Sequence, residues 1–243
     1  MSAARTAATA GRVVGQLRND PRTIAMLLVV PSVLMGLLAW IVPANDFDKF
    51  GPSLLGIFPL IVMFLVTSVA TLRERASGTL ERLLSMPIGK RDFVLGYALA
   101  FGGFAIAQAF IVYGLSFGFF GLDVLGSPWA LLLVTIVDAL LGTALGLFVS
   151  AFATTEFQAV QFMPALILPQ LLLCGLIVPR DDLPTALRLL SDVLPMSYAV
   201  DATKQVITSP TVDAVYWTSL AIVAGFMVVS LGLGAATLRR RTP

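Results

Sequence analysis

The chain has 243 residues, 58% of them hydrophobic and 12% charged, with a mean hydropathy of +0.92 and a formal net charge of +2. Ordinary soluble domains carry about twice that charge, and a net charge this small excludes nucleic acid as a natural partner. Histidine is absent, which removes the commonest catalytic base and metal ligand, and a single cysteine, Cys174, rules out an intrachain disulfide.

Apolar runs of 18 or more residues recur along the chain, so lipid is the solvent for most of it. The pattern predicts an all-α polytopic membrane protein with six transmembrane helices in one domain, 1–243. Residues 1–23 become weakly amphipathic, with Val13, Val14 and Leu17 on one face. Either a short helix on the membrane surface or a disordered tail fits them. The first apolar run, 24–42, exceeds the h-region of a cleavable signal and reads as a retained anchor, with a kink expected at Pro31. The stretch 43–52 reads as a short loop leading to the second span, 53–72. The third span is expected at 93–117, the fourth at 129–152 and the fifth at 157–178, the last interrupted by Pro164 and Pro169. The segment 179–213 is too apolar for a plain loop. Leu183, Leu187, Leu190, Val193 and Leu194 predict a short amphipathic helix and 198–206 a second one, read as a re-entrant pair or as an interfacial helix. A sixth span, 214–238, ends in Arg239-Arg240-Arg241.

With the N-terminus inside, Lys and Arg number twelve in the cytoplasmic segments and four in the outer ones. That asymmetry predicts cytoplasmic termini and a cytoplasmic segment 73–92. This segment is the densest cluster of charge in the chain. Leu72, Ala76, Leu80 and Leu84 recur every four residues beside Leu83, while Arg73, Glu74, Arg75, Glu81 and Arg82 lie around the rest of the helix. Such a helix offers an apolar stripe for a groove and charges for orientation. Lying on lipid is the competing reading, and its glutamates speak against anionic head groups.

The remaining chemistry is sparse. Gly89-Lys90 lacks the upstream glycine and following Ser or Thr of a phosphate-binding loop, so the chain carries no nucleotide site of that kind. Asp138 is the one acid deep in an expected span, about 15 Å along a helix from Pro128. It reads as a candidate translocation-path residue or as a packed, hydrogen-bonded acid. Gly142-x-x-x-Gly146 follows on the same helix and suits close helix approach. Trp40, Trp129 and Trp217 read as interfacial anchors.

Arg73-Glu74-Arg75, Gly78-Thr79-Leu80-Glu81-Arg82-Leu83-Leu84 and Pro87-Ile88 together resemble the signature of ABC-2 type transporter permeases. Leu168-Pro169, Cys174-Gly175, Pro179, Asp182-Leu183-Pro184 and the run from Leu194 through Pro195, Tyr198 and Asp201 resemble that family's fifth span and outer segment. Gln16-Leu17-Arg18-Asn19-Asp20-Pro21-Arg22 is similar to the daunorubicin-resistance, drug-exporting branch. The resemblance implies a non-enzymatic membrane subunit in the cytoplasmic membrane. Segment 73–92 would be the coupling helix, with Arg73, Glu74, Arg75, Gly78, Thr79, Leu80, Glu81, Arg82, Leu83 and Leu84 meeting a separate ATPase. Pro179, Pro184, Pro195, Tyr198 and Asp201 would belong to an outer gate. It further implies two copies of the ATPase chain carrying ATP and Mg, a second and identical permease chain, surrounding lipid, and multidrug efflux conferring antibiotic resistance. A glycan-exporting permease, a secondary transporter and a membrane scaffold are the alternatives.

Overall fold

The structure is a computed structural model that describes residues 3–76 and 90–237. Among the described residues there are nine α-helices and no strand. Helix α1 spans Ala3–Arg18, α2 Pro21–Ile41, α3 Ala44–Ala76, α4 Lys90–Gly118, α5 Pro128–Ser150 and α6 Glu156–Leu173. A 3₁₀ turn, Arg180–Asp182, precedes the short α7, Thr185–Ser191, and α8, Pro195–Thr208; α9 is Ala214–Thr237. Six of these, α2, α3, α4, α5, α6 and α9, are long and apolar enough to cross a membrane.

Local chemistry accounts for the ends. Asp20 caps α2 by accepting from the Thr23 amide, with Pro21 in the first turn. Thr155 caps α6 in the same way through Gln158. Of the two readings of the N-terminal segment, the structure shows a helix over Ala3–Arg18, with Val13 and Leu17 buried against α4 and Val14 half-buried.

Two boundaries differ from the sequence expectation. The stretch 43–52 is no loop: α3 starts at Ala44 and carries Pro52 and Pro59 inside it. Pro43 offers its carbonyl to the amides of Asp46 and Phe47, and burial of Phe47 beside Gly51 and Leu122 favours the helical turn over an exposed link. At the same end of the bundle, α6 stops at Leu173 rather than 178. Gly175 lies at φ +86°, a left-handed conformation that ends a helix and that glycine adopts without a Cβ penalty.

Helices α3 and α5 form the centre, and α2, α6 and α9 are peripheral. A Cβ built on Gly142 would lie 2.2 Å from the Leu60 carbonyl oxygen, and one on Gly146 would lie 2.6 Å from that of Phe64. One step of four earlier, a Cβ on Gly56 would lie 2.4 Å from Asp138 Oδ2. The pairs 56/138, 60/142 and 64/146 rise together, so α3 and α5 run parallel along a seam of backbone contact. Helix α9 continues the parallel set: the Tyr216 hydroxyl donates to the Ala130 carbonyl at 2.9 Å, and Gly234 packs on Phe148. Helix α8 buries Met196, Ala199, Val200, Ala202 and Val206 among α3, α5, α6 and α9, whereas α7 leaves Leu187 and Leu190 exposed.

Candidate functional site: the root of the charged segment

The residues that open the charged segment sit at the end of α3, where three other elements hold them. Arg73 donates from Nε and Nη2 to the two oxygens of Glu156, at 2.8 and 3.0 Å, a bidentate pair joining α3 to the start of α6. Glu74 Oε1 accepts from Arg12 Nη1 at 2.7 Å and from Gln16 Nε2 at 2.8 Å, which fastens α1 to α3. Arg12 also donates to the Tyr97 hydroxyl at 3.0 Å, and its guanidinium lies 5.8 Å from that ring's centre. Burial works against the Arg12 charge, but the Glu74 carboxylate and the Tyr97 hydroxyl outweigh it and hold the guanidinium above its ordinary value. Arg75 donates to the Ser150 carbonyl at the end of α5.

Helix α1 thereby bridges both arms of the segment. It grips Glu74 on the α3 side and lies on α4 at Gly96, where an added Cβ would meet Thr9 at 2.6 Å. Phe93, Tyr97 and Phe101 line up along the same side of α4, ring against ring, and are buried with Val13 and Leu17.

Of the expected coupling residues, Arg73, Glu74 and Arg75 are therefore brought together, and each is engaged within the chain. Gly78, Thr79, Leu80, Glu81, Arg82, Leu83 and Leu84 lie outside the described residues. Sequence reasoning missed Arg12, Tyr97 and Glu156 as parts of this arrangement. Glu156 had a readable signal: it is the one charge in the link 153–156, a lone acid facing an arginine-rich segment.

Asp138 stands elsewhere. It is 2% exposed, packed in the α3–α5 seam against Gly56, and its Oδ1 has no hydrogen-bond partner. Thr135 and Thr143 donate to their own helix at Leu131 and Ala139, so neither satisfies the carboxyl.

The residues expected at an outer gate form a third cluster. Arg180 donates to both Asp192 and Asp201, and its guanidinium lies 5.4 Å from the centre of the Tyr198 ring. Tyr198 donates to the Asp192 carbonyl at 2.6 Å, and Lys204 donates to that of Gly175 at 2.8 Å. Burial pushes the Asp201 carboxyl above its usual range, with Arg180 and Lys204 pulling the other way. Pro179 and Pro184 precede the 3₁₀ turn and α7, and Pro195 opens α8. Tyr198 and Asp201 are thus joined through Arg180, which the sequence did not single out. Among the described residues no group of three His, Cys, Asp or Glu side chains is placed to hold a metal ion.

The chain is 29% identical over 182 residues to the probable multidrug ABC transporter permease YbhR of Escherichia coli K12, covering 74% of this chain and 50% of that protein. It is 24% identical over 204 residues to the probable multidrug ABC transporter permease YbhS of the same organism, covering 83% and 54%. Against ABC transporter G family member 20 of Dictyostelium discoideum it is 24% identical over 159 residues, covering 65% and 22%. The chain thus spans about half the length of the bacterial relatives it matches. The model of the family described as ABC-2 type transporter matches residues 7–208, from the amphipathic α1 to the end of α8, and the chain belongs to that family.

Proposed function

We propose that this protein is the membrane-spanning permease subunit of an ATP-binding cassette exporter, moving amphipathic compounds such as drugs or lipid-like molecules outward across the cytoplasmic membrane. Energy comes from a separate ATPase subunit, in two copies with their ATP and Mg, working on a pair of permease chains. Both termini and the segment 73–92 face the cytoplasm, as the twelve-to-four distribution of Lys and Arg argues.

The observation that carries the reading is the family match over 7–208, which contains the charged segment together with every helix that fastens its root. The names of YbhR and YbhS supply the substrate class. Physically, a segment that hydrolyses nothing itself passes on work only if its ends are tied to the helices that must move. Arg73, Glu74 and Arg75 tie it to α6, α1 and α5. Arg180, Tyr198 and Asp201 would close the outer end, and Asp138 is a packing residue of the α3–α5 seam.

The test is copurification of the tagged permease with vanadate-sensitive ATPase activity, followed by drug-stimulated hydrolysis in reconstituted vesicles. Glu81→Arg and Leu84→Asp are expected to lose both ATPase copurification and transport. Full retention of both activities in both variants overturns the coupling role, and stimulation by a lipid-linked glycan instead of drugs overturns the substrate class.

A further inference from the structure

At the end of the bundle where Arg73 and Glu74 lie, a cavity of about 620 Å³ opens between α1, α2, α3, α4 and α6. That volume is within the range of sites for drug-sized molecules, roughly 300–1,000 Å³. Its walls are apolar, with Leu17, Val66, Phe101 and Val160 contributing from four different helices. Met26, Phe157 and Val160 line it and are also exposed on the flank of the bundle. The mouth therefore opens on an apolar flank of the chain, and a ligand arriving there needs an apolar body.

The charged part of the lining selects the head group. Three carboxylates, Asp20, Glu74 and Glu156, face one guanidinium, that of Arg73. Glu156 is neutralised by Arg73, and Glu74 is held by Arg12. Asp20 accepts from the Thr23 hydroxyl at 2.6 Å and from its amide at 3.2 Å; these bonds, with a smaller pull from Arg73, hold its carboxyl below the usual range, so it is ionised at neutral pH. Among the described residues, Asp20, Glu74 and Glu156 outnumber Arg73 and Arg12 by one, so an anionic head would meet one surplus negative charge at this mouth. A cation gains attraction from Asp20 and keeps its apolar body against Leu17, Val66 and Phe101.

We infer that this lateral cavity binds a hydrophobic organic cation, with Asp20 as the charge that selects it. The inference rests on the exporter reading and names the chemistry of what that exporter takes up. The site is distinct from the outer cluster around Arg180 and makes no use of Asp138.

The experiment uses the full chain together with its ATPase partner in nanodiscs, with radiolabelled tetraphenylphosphonium as probe and empty discs subtracted. Tetraphenylborate, an anion of matched size, is the control. Saturable binding of the cation and no saturable binding of the anion is the expected result. Asp20→Asn keeps a capping side chain on α2 and removes only the charge; it is expected to weaken binding about five-fold, the size of one partly screened charge contact. Val160→Trp fills the mouth from an exposed position and is expected to abolish saturable binding. Equal binding of the two ions, or wild-type affinity in both variants, overturns the proposal. Discs containing phosphatidylethanolamine are compared with discs of phosphatidylglycerol alone. A lower apparent affinity in the former assigns the site to a lipid ammonium head, and equal affinity assigns it to a free cation; either supports the cation chemistry. If cation binding fails while ATPase copurification persists, the site is wrong and the permease reading stands. Loss of copurification in the wild type is the failure of that reading.

Discussion

Glu74 accepts hydrogen bonds from Arg12 and Gln16 across 62 and 58 positions of sequence, and it is largely buried while doing so. Replacing it with Ala strands the Arg12 guanidinium beside Tyr97. The expected cost is about 2 kcal/mol, the range for hydrogen bonds to charged groups. It is read as a lower midpoint in thermal unfolding of the detergent-solubilised chain. In the double variant with Arg12→Ala the loss should fall short of the sum of the two singles, because the two residues share one interaction. Asp138 makes a different demand. Its carboxyl occupies the space that Gly56 leaves by having no Cβ. Asp138→Asn has nearly the same shape and is expected to express and transport as wild type. Asp138→Leu forces branched carbons against the α3 backbone and is expected to lower folded yield on size-exclusion chromatography. Loss of transport in Asp138→Asn with normal folding would return that residue to the translocation path.

Among the helices, the seam of α3 and α5 shows which glycines matter. Gly142→Leu places its first side-chain carbon within 2.2 Å of a backbone oxygen that cannot retreat, and it is expected to abolish the folded protein. Gly103 has open space where a Cβ would go, so Gly103→Ala is expected to be neutral or slightly stabilising, by up to about 1 kcal/mol from helix propensity. Yield and unfolding midpoint of the two variants, measured side by side, check the contrast. In sequence the two positions look alike, since each is a glycine in an apolar run. What distinguishes them is which helix lies opposite, and that is decided by tertiary packing. The six spans themselves were legible because apolar length alone specifies them. The start of α3 was not, because Asp46, Lys49, Gly51 and Pro52 read as a polar turn while burial of Phe47 secures the helix. Arg73, Glu74 and Arg75 were singled out by their motif. Of their holders, Glu156 had a signal as the lone charge of its link, while Arg12 and Tyr97 had none, because their pairings exist only once distant helices are assembled.

In the whole molecule, α3, α5 and α9 run parallel and in close backbone contact, while α6 exposes much of its apolar face. Among the described residues, a bidentate link joins α3 to the start of α6 through Arg73 and Glu156, both about half exposed. An exposed pair contributes at most about 1 kcal/mol to stability, so Arg73→Glu is expected to leave the protein folded. Within the proposed exporter it should instead lower the ratio of transport to ATP hydrolysis, and the swap Arg73→Glu with Glu156→Arg should restore that ratio. Vesicle uptake measured together with ATPase turnover tests this. A consequence follows for how strain would travel. A hinged strut attached only by α3 and α4 would swing and dissipate a push arriving between residues 76 and 90. Arg73, Glu74 and Arg75, at three successive positions, hold the end of α3 to α6, α1 and α5. Within the proposed exporter, a push arriving at the end of α3 would load α3, α6, α1 and α5 together, and what it would deliver across the membrane is a tilt of the frame rather than a bend in one member.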